Sequence, residues 1–180
     1  MSNHGLQMPE GVQVDEVSDS EGQFVMGPLE RGYGVTIGNA LRRVLLSSLR
    51  GLAVTAVKID GVQHEFSTIP GVTEDVSDII LNLKEVRFKA DEMREGHLHL
   101  NLEGPGNWTA ADIGDSTAEY EVLNPDQHIA TLAEDAVVNV DLRVGYGRGY
   151  IPSEENKRED DPIGVIAVDS IFTPIKNVNY

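Results

Sequence analysis

Residues 28–48 read PLERGYGVTIGNALRRVLLSS, and the folding of this stretch decides how the rest of the chain is organised. Gly32 and Gly34 break the chain, Thr36 is a type that caps helices, and apolar residues recur at Ile37, Ala40, Leu41, Val44, Leu45 and Leu49. That spacing predicts an amphipathic helix with one broad apolar stripe. Leu46 falls nearly opposite the stripe's centre, on the side that holds Asn39 and between Arg42 and Arg43. It is either one of the single exposed leucines common on soluble proteins or the anchor for a second partner, and the pattern leaves both open.

Working outward, Gly11 to Leu29 predicts a hairpin around the polar turn Ser18-Asp19-Ser20-Glu21-Gly22. Downstream, Ala53–Ile59 is a β-branched run, and Asp60-Gly61 is a two-residue hairpin turn before a predicted strand at Val62–Phe66. A second helix is expected to open at Thr73, with Glu74 and Asp75 in its first turn and an apolar face of Val76, Ile79, Ile80 and Leu83. Lys84 closes it. Strands follow at Val86–Lys89, through Leu98, Leu100 and Leu102, at Tyr120 and Val122, at His128–Leu132 and at Val137–Val144. Ser153–Asp161 is charged and aperiodic and reads as a mobile surface loop, with strands again at Ile163–Phe172 and Val178–Tyr180. The pattern as a whole is α+β, with strands dominating after the second helix.

The 180 residues are enough to bury a core and contain no cysteine, which excludes disulfide frameworks, thiol catalysis and cysteine-ligated metal clusters. No stretch is long and apolar enough to span a bilayer, no signal sequence opens the chain, and the expected location is cytoplasmic. A formal net charge of −16 repels a phosphate backbone, so no direct nucleic-acid contact is expected. The excess acid reads as solubility or as adaptation to salt, and names no substrate.

Catalytic constellations are weak. Gly32, Gly34 and Gly38 are spaced GxGxxxG, not GxGxxG, so a sharp turn into the helix explains them better than a nucleotide loop. His97 and His99 would share a strand face without a third ligand at a metal-site spacing, and His4, His64 and His128 add none. Helix capping accounts for Glu74, Asp75 and Asp78. Gly145-Tyr146-Gly147-Arg148-Gly149-Tyr150 interleaves arginine with tyrosine as some RNA-binding segments do, but with one positive charge it reads as a flexible loop. No catalytic residue, metal or cofactor is expected.

Three runs carry a resemblance: PLERGYGVTIGNALRRVLLSS at 28–48, KIDGVQHEFSTIPGVTEDVSDIILNLK at 58–84, and RGYIPSEENKREDDPIGVIAVDSIFTPIKNVNY at 148–180. Together they resemble the N-terminal region of the bacterial RNA polymerase alpha subunit, and the likeness is looser between 91 and 135. The absence of an inserted cysteine cluster argues against archaeal and eukaryotic relatives of that subunit.

The resemblance implies a non-catalytic subunit of a nucleotidyltransferase complex. It would form a homodimer and dock the beta and beta prime subunits to nucleate assembly. It further implies a discontinuous dimerisation domain, with residues 1–51 its first part, 178–180 the return into it, and 52–177 an inserted β-rich domain. By matching position, Arg43, Leu46 and Lys84 resemble residues used against beta, and Asp78 and Val168 positions on the beta prime side. Tyr33, Ile37 and Val44 are the candidates for self-pairing. The loop Glu154–Asp161 resembles a site touched by activators in some members, where Lys157 and Arg158 here dilute the acid. The chain stops at Tyr180 inside an apolar stretch and reads as an N-terminal fragment of such a protein, without its DNA-binding C-terminal domain.

Overall fold

A computed structural model describes residues 7–18 and 20–180; His4 and Asp19 lie outside the described residues. The chain divides into two compact units: the described residues up to Leu45 together with Asn177–Tyr180, and Leu46–Lys176.

The first unit opens with the expected hairpin. β1 (Gly11–Val17) pairs antiparallel with β2 (Gly22–Gly27), Val12 facing Met26 and Val14 facing Phe24. The turn closes through the Ser18 amide, which donates to the Glu21 carbonyl at 2.7 Å, while the Ser18 hydroxyl accepts from the Glu21 amide at 3.1 Å. Helix α1 (Tyr33–Ser47) begins three residues earlier than Thr36, which therefore sits inside the helix and does not cap it. Gly32, at φ +92°, makes the turn into the helix at an angle that a side chain would resist. The carboxyl-terminal residues form no strand, in contrast to the expectation for Val178–Tyr180. They are held to α1 instead: the Arg42 guanidinium donates to the Val178 carbonyl, and the Tyr180 ring lies over Gly38, where a Cβ would stand 2.4 Å from it.

The second unit contains β3 (Arg50–Ile59), α2 (Val76–Lys84), β4 (Phe88–Lys89), β5 (Gly96–Glu103), β6 (Gly106–Thr109), α3 (Ala110–Asp115) and β7 (Glu121–Val122). It continues with β8 (His128–Leu132), β9 (Val137–Arg148), β10 (Tyr150–Ile151), α4 (Ser153–Asn156), β11 (Val165–Ala167) and β12 (Ser170–Ile171). The main sheet is antiparallel in the order β5-β9-β3-β4-β7, with β11 also on β3; β6-β8 and β10-β12 form separate ribbons. Alternation in β5 and β9 puts Leu98, Leu100, Val138, Val140, Leu142 and Val144 on the inner face, against α2 residues Val76, Ile79 and Leu83, Trp108 and Ile129 in one core. Each such fully buried side chain contributes about 1.5–3 kcal/mol by leaving water.

Several expectations change here. Val62–Phe66 is not a strand: β9 occupies one edge of β3, while β11 and β4 take the other, so no edge is left for a hairpin partner. Helix α2 starts at Val76, not at Thr73, because the Asp75 carboxylate accepts the Asp78 amide at 2.8 Å and caps it there. The segment Gly145–Tyr150 is no flexible loop, since β9 runs through Arg148 in register with Arg50–Ala53. Its glycines permit close packing: a Cβ at Gly145 would meet Thr55 at 2.6 Å, and one at Gly147 the Phe172 ring at 2.7 Å. Ile163–Phe172 divides into β11 and β12: the Val168 amide still donates to the Thr55 carbonyl at 2.9 Å, at the bulge in β3, but its own carbonyl accepts the Asn156 side chain and the ladder ends there. β6 and α3 had no clear periodic signal; the Asp112 carboxylate accepts the Thr109 amide at 2.7 Å and starts the short helix.

Candidate functional site

The candidate residues fall into separate groups. On α1, Tyr33, Ile37, Leu41 and Val44 recur on one stripe, and the helix contains no buried residue. Tyr33 is 41% exposed and Val44 52%, while Ile37 is half-buried. Because the chain end lies along Gly38 and Arg42, one turn apart on a neighbouring side, it leaves this stripe uncovered. The hairpin presents Val12, Val14, Val17, Phe24 and Val25 in the same exposed state. Arg43 is exposed on α1. Leu46 is half-buried, so the expectation that it stands fully outward is corrected.

In the second unit Lys84 closes α2, and its ammonium meets Asp169 Oδ2 at 2.6 Å. Burial pushes the Asp169 carboxyl up, but the hydrogen bond and charge of Lys84, joined by a hydrogen bond from the Tyr150 hydroxyl, hold it below the ordinary carboxylate range. Asp78 is exposed in the first turn of the same helix, about 9 Å along the axis from Lys84 at helical rise, so the two are not brought together. Val168 is corrected: at 1% exposure its side chain belongs to the core and offers no surface. Its backbone amide is held by the Thr55 carbonyl, and its own carbonyl accepts the Asn156 side chain at 2.7 Å, which positions the adjacent Asp169.

The segment Ser153–Asp161 is pinned and does not match the mobile loop expected. Arg143 on β9, 6% exposed, reaches Asp161 Oδ1 at 2.6 Å and the Asn156 carbonyl at 2.7 Å. The Arg143 hydrogen bond holds the Asp161 carboxyl below its usual range, and Asp161 also accepts the Arg158 amide at 3.0 Å. The Arg158 guanidinium forks onto Glu95, lowering that carboxyl as well. Nothing in the sequence spacing announces the Arg143–Asp161 pair, since Arg143 falls in phase with Asn139 and Asp141 on the polar side of the alternating run 137–144. Asn156 and Ser170 complete the network at 2.9 Å, and the Ser170 hydroxyl donates to the Val54 carbonyl at 2.7 Å.

The histidines form pairs and not a cluster. His99 meets Asp141 at 2.7 Å, His97 lies 3.5 Å from Glu95, and His128 meets Glu74 at 2.8 Å. Glu74 also accepts the Thr131 amide at 2.6 Å; burial raises its carboxyl, and these bonds bring it below the ordinary range. Its role is therefore to tie the α2 approach to β8, not to sit in the helix's first turn. Among the described residues no group of three or more His, Asp or Glu could hold a metal, and no helix is long and apolar enough to cross a membrane. An open concavity of about 480 Å³ is lined by Gln63, Glu65 and the 157–167 segment, and its side chains are charged ends and aliphatic groups with no histidine or serine among them.

Comparison with known proteins adds the family. Residues 57–173 match the family model described as the RNA polymerase Rpb3/RpoA insert domain. The chain is 93% identical over 180 residues, all of its length and 55% of the relative's, to the DNA-directed RNA polymerase subunit alpha of Salinibacter ruber. It is 61% identical over 177 residues to the subunit of that name from Prosthecochloris aestuarii, covering 97% of this chain and 54% of the relative. For Chlorobaculum tepidum the identity is 57% over 175 residues, with 96% and 53% covered. The chain thus spans about half the length of the curated relatives it matches. On the matched insert domain and on these identities, the chain belongs to the family of bacterial DNA-directed RNA polymerase alpha subunits.

Proposed function

We propose that this chain is a non-catalytic scaffold in DNA-directed RNA polymerase, pairing with a second copy of itself and docking the beta and beta prime subunits to nucleate assembly. One observation carries the reading: no described residue of the first unit is buried, yet its hairpin and helix present a run of valines, Phe24, Tyr33 and Leu41. A two-stranded ribbon and one helix are marginal alone in water, and an obligate dimer supplies the missing layer. In this reading residues 1–51 and 178–180 belong to the dimerisation domain and 52–177 to the inserted domain. Tyr33, Ile37 and Val44 face the second copy; Arg43, Leu46 and Lys84 serve beta and Asp78 beta prime, with Val168 acting only through the backbone that sets Asp169.

Light scattering on size-exclusion fractions tests pairing. The expected result is two copies per particle at micromolar concentration and one copy for Val44→Asp, because a carboxylate cannot be desolvated in an apolar seam. A particle of one copy at every concentration, with cooperative unfolding, overturns it. Docking is tested by mixing the chain with purified beta subunit: a complex with two copies of the chain is expected, and it is lost in Arg43→Ala. Since Leu46 is half-buried, Leu46→Asp is read only alongside a circular-dichroism spectrum showing the fold intact.

A further inference from the structure

Where the β3–β9 ladder ends, Arg50 stands directly opposite Arg148. Residues so placed have Cβ atoms roughly 4.5–5.5 Å apart, and like charges in that relation destabilise a sheet. Both side chains are exposed, and among the described residues neither has a hydrogen-bonding or ion-pair partner. That is odd in a chain with 30 acidic residues against 14 Lys and Arg. Most other bases in this unit meet an acid, Lys84 on Asp169, Lys89 on Glu121, Arg94 on Glu119, Arg143 on Asp161 and Arg158 on Glu95, while Lys157 also stands without one among the described residues. On the same two strands Lys58 faces Asp141.

The surroundings make this spot a platform. Side chains alternate, so Leu142, Val144, Tyr146 and Arg148 share one face of β9, opposite Leu52 and Arg50 on β3. That face is core at Leu142 and Val144 and emerges at Tyr146, which is 56% exposed, and at the two guanidiniums. The reverse side is packed shut, with the Phe172 ring on Gly147 and the Phe172 carbonyl on Gly51. Gly149, at φ +61°, then turns the chain away and ends the ladder.

We propose that Arg50, Arg148 and Tyr146 form a docking site for an acidic segment of a partner protein. The two planar guanidiniums take carboxylates in bidentate pairs, and the tyrosine ring takes an adjoining apolar side chain. A protein segment is favoured over nucleic acid because the positive spot is two charges wide on a chain of net charge −16. A polyanion running past it meets repulsion on every side, whereas a few carboxylates do not extend that far. The site is separate from the residues assigned above to self-pairing and to the beta-type subunits, and it stands whether or not that assignment holds.

Fluorescence anisotropy of labelled hexaglutamate with the whole chain at low ionic strength tests the proposal, with an oligothymidylate as the competing probe. Hexaglutamate should bind, and Arg50→Glu with Arg148→Glu should weaken it by about tenfold or more. Lys157→Glu with Lys176→Glu, an equal change in net charge elsewhere on the unit, should leave binding within about twofold, as screening by distance requires. Arg148→Glu alone turns a like pair into an opposite pair, so its melting temperature should rise while its peptide affinity falls. Absence of hexaglutamate binding, equal loss in the lysine variant, tighter binding of the oligothymidylate, or a lowered melting temperature for Arg148→Glu would each overturn the assignment.

Discussion

Val57, Val140 and Val144 are wholly buried in the β3–β9 sheet, whereas Val12, Val14 and Val44, the same residue type, are 55%, 62% and 52% exposed in the hairpin and on α1. The side chains do not differ; what surrounds them does. The second unit stacks α2, Trp108 and the β6-β8 ribbon over one face of a sheet, so an apolar residue there is covered by elements of the same chain. The first unit is a ribbon and a helix with no third layer among the described residues, and its apolar stripe is left exposed.

The sharpest way to break this comparison is truncation. Trp108→Ala, at a residue 2% exposed, should cost about 3–5 kcal/mol in urea unfolding. Val44→Ala, measured where the chain is a single copy, should change stability by less than about 0.5 kcal/mol. Equal costs would show that α1 is already packed. Next in size, Asp161→Ala leaves the Arg143 charge buried and unmatched, and should cost about 3 kcal/mol; Arg143→Met in the same chain should recover much of it. Failure of that recovery would mean the loop is held by Asn156 alone.

Acid sharpens the contrast further. The Asp161 and Glu95 carboxyls are held low by arginine, and those of Glu74 and Asp169 lie low in spite of burial. A carboxyl depressed on folding adds stability that is fully present above the ordinary carboxylate range and is lost as pH falls through the depressed value. The urea midpoint of the second unit should therefore drop on acidification, and Asp161→Asn should flatten that dependence; an unchanged profile would remove Asp161 as a contributor. Smallest is salt. With a net charge of −16, screening relieves self-repulsion, and the melting temperature should rise modestly with sodium chloride; a fall would mean that attractive pairs outweigh the excess acid.

Much of this was legible by period. The α2 face, Val76, Ile79 and Leu83, and the alternation of β5 and β9 follow from spacing, because each period has one geometry that puts its apolar side chains together. The strand expected at Val62–Phe66 does not form because a turn signal says that a chain reverses and not whether an edge is free to receive it. The glycines of Gly145–Gly149 looked like looseness and are close approach, a distinction that needs Thr55 and Phe172 in place. Among the candidate residues, Tyr33 and Val44 on α1 are exposed, whereas Val168 is buried because β11 ends beside the Thr55 bulge.

The sequence by itself determined the α+β class, the family, and which faces are apolar, since composition and period are local properties and long identical runs are specific. Only the tertiary structure decided which of those faces are covered, that Arg143 finds Asp161, and that Arg50 meets Arg148. The first depends on how a loop folds back on β9 and the second on register between strands nearly a hundred residues apart, and neither leaves a periodic trace in the chain.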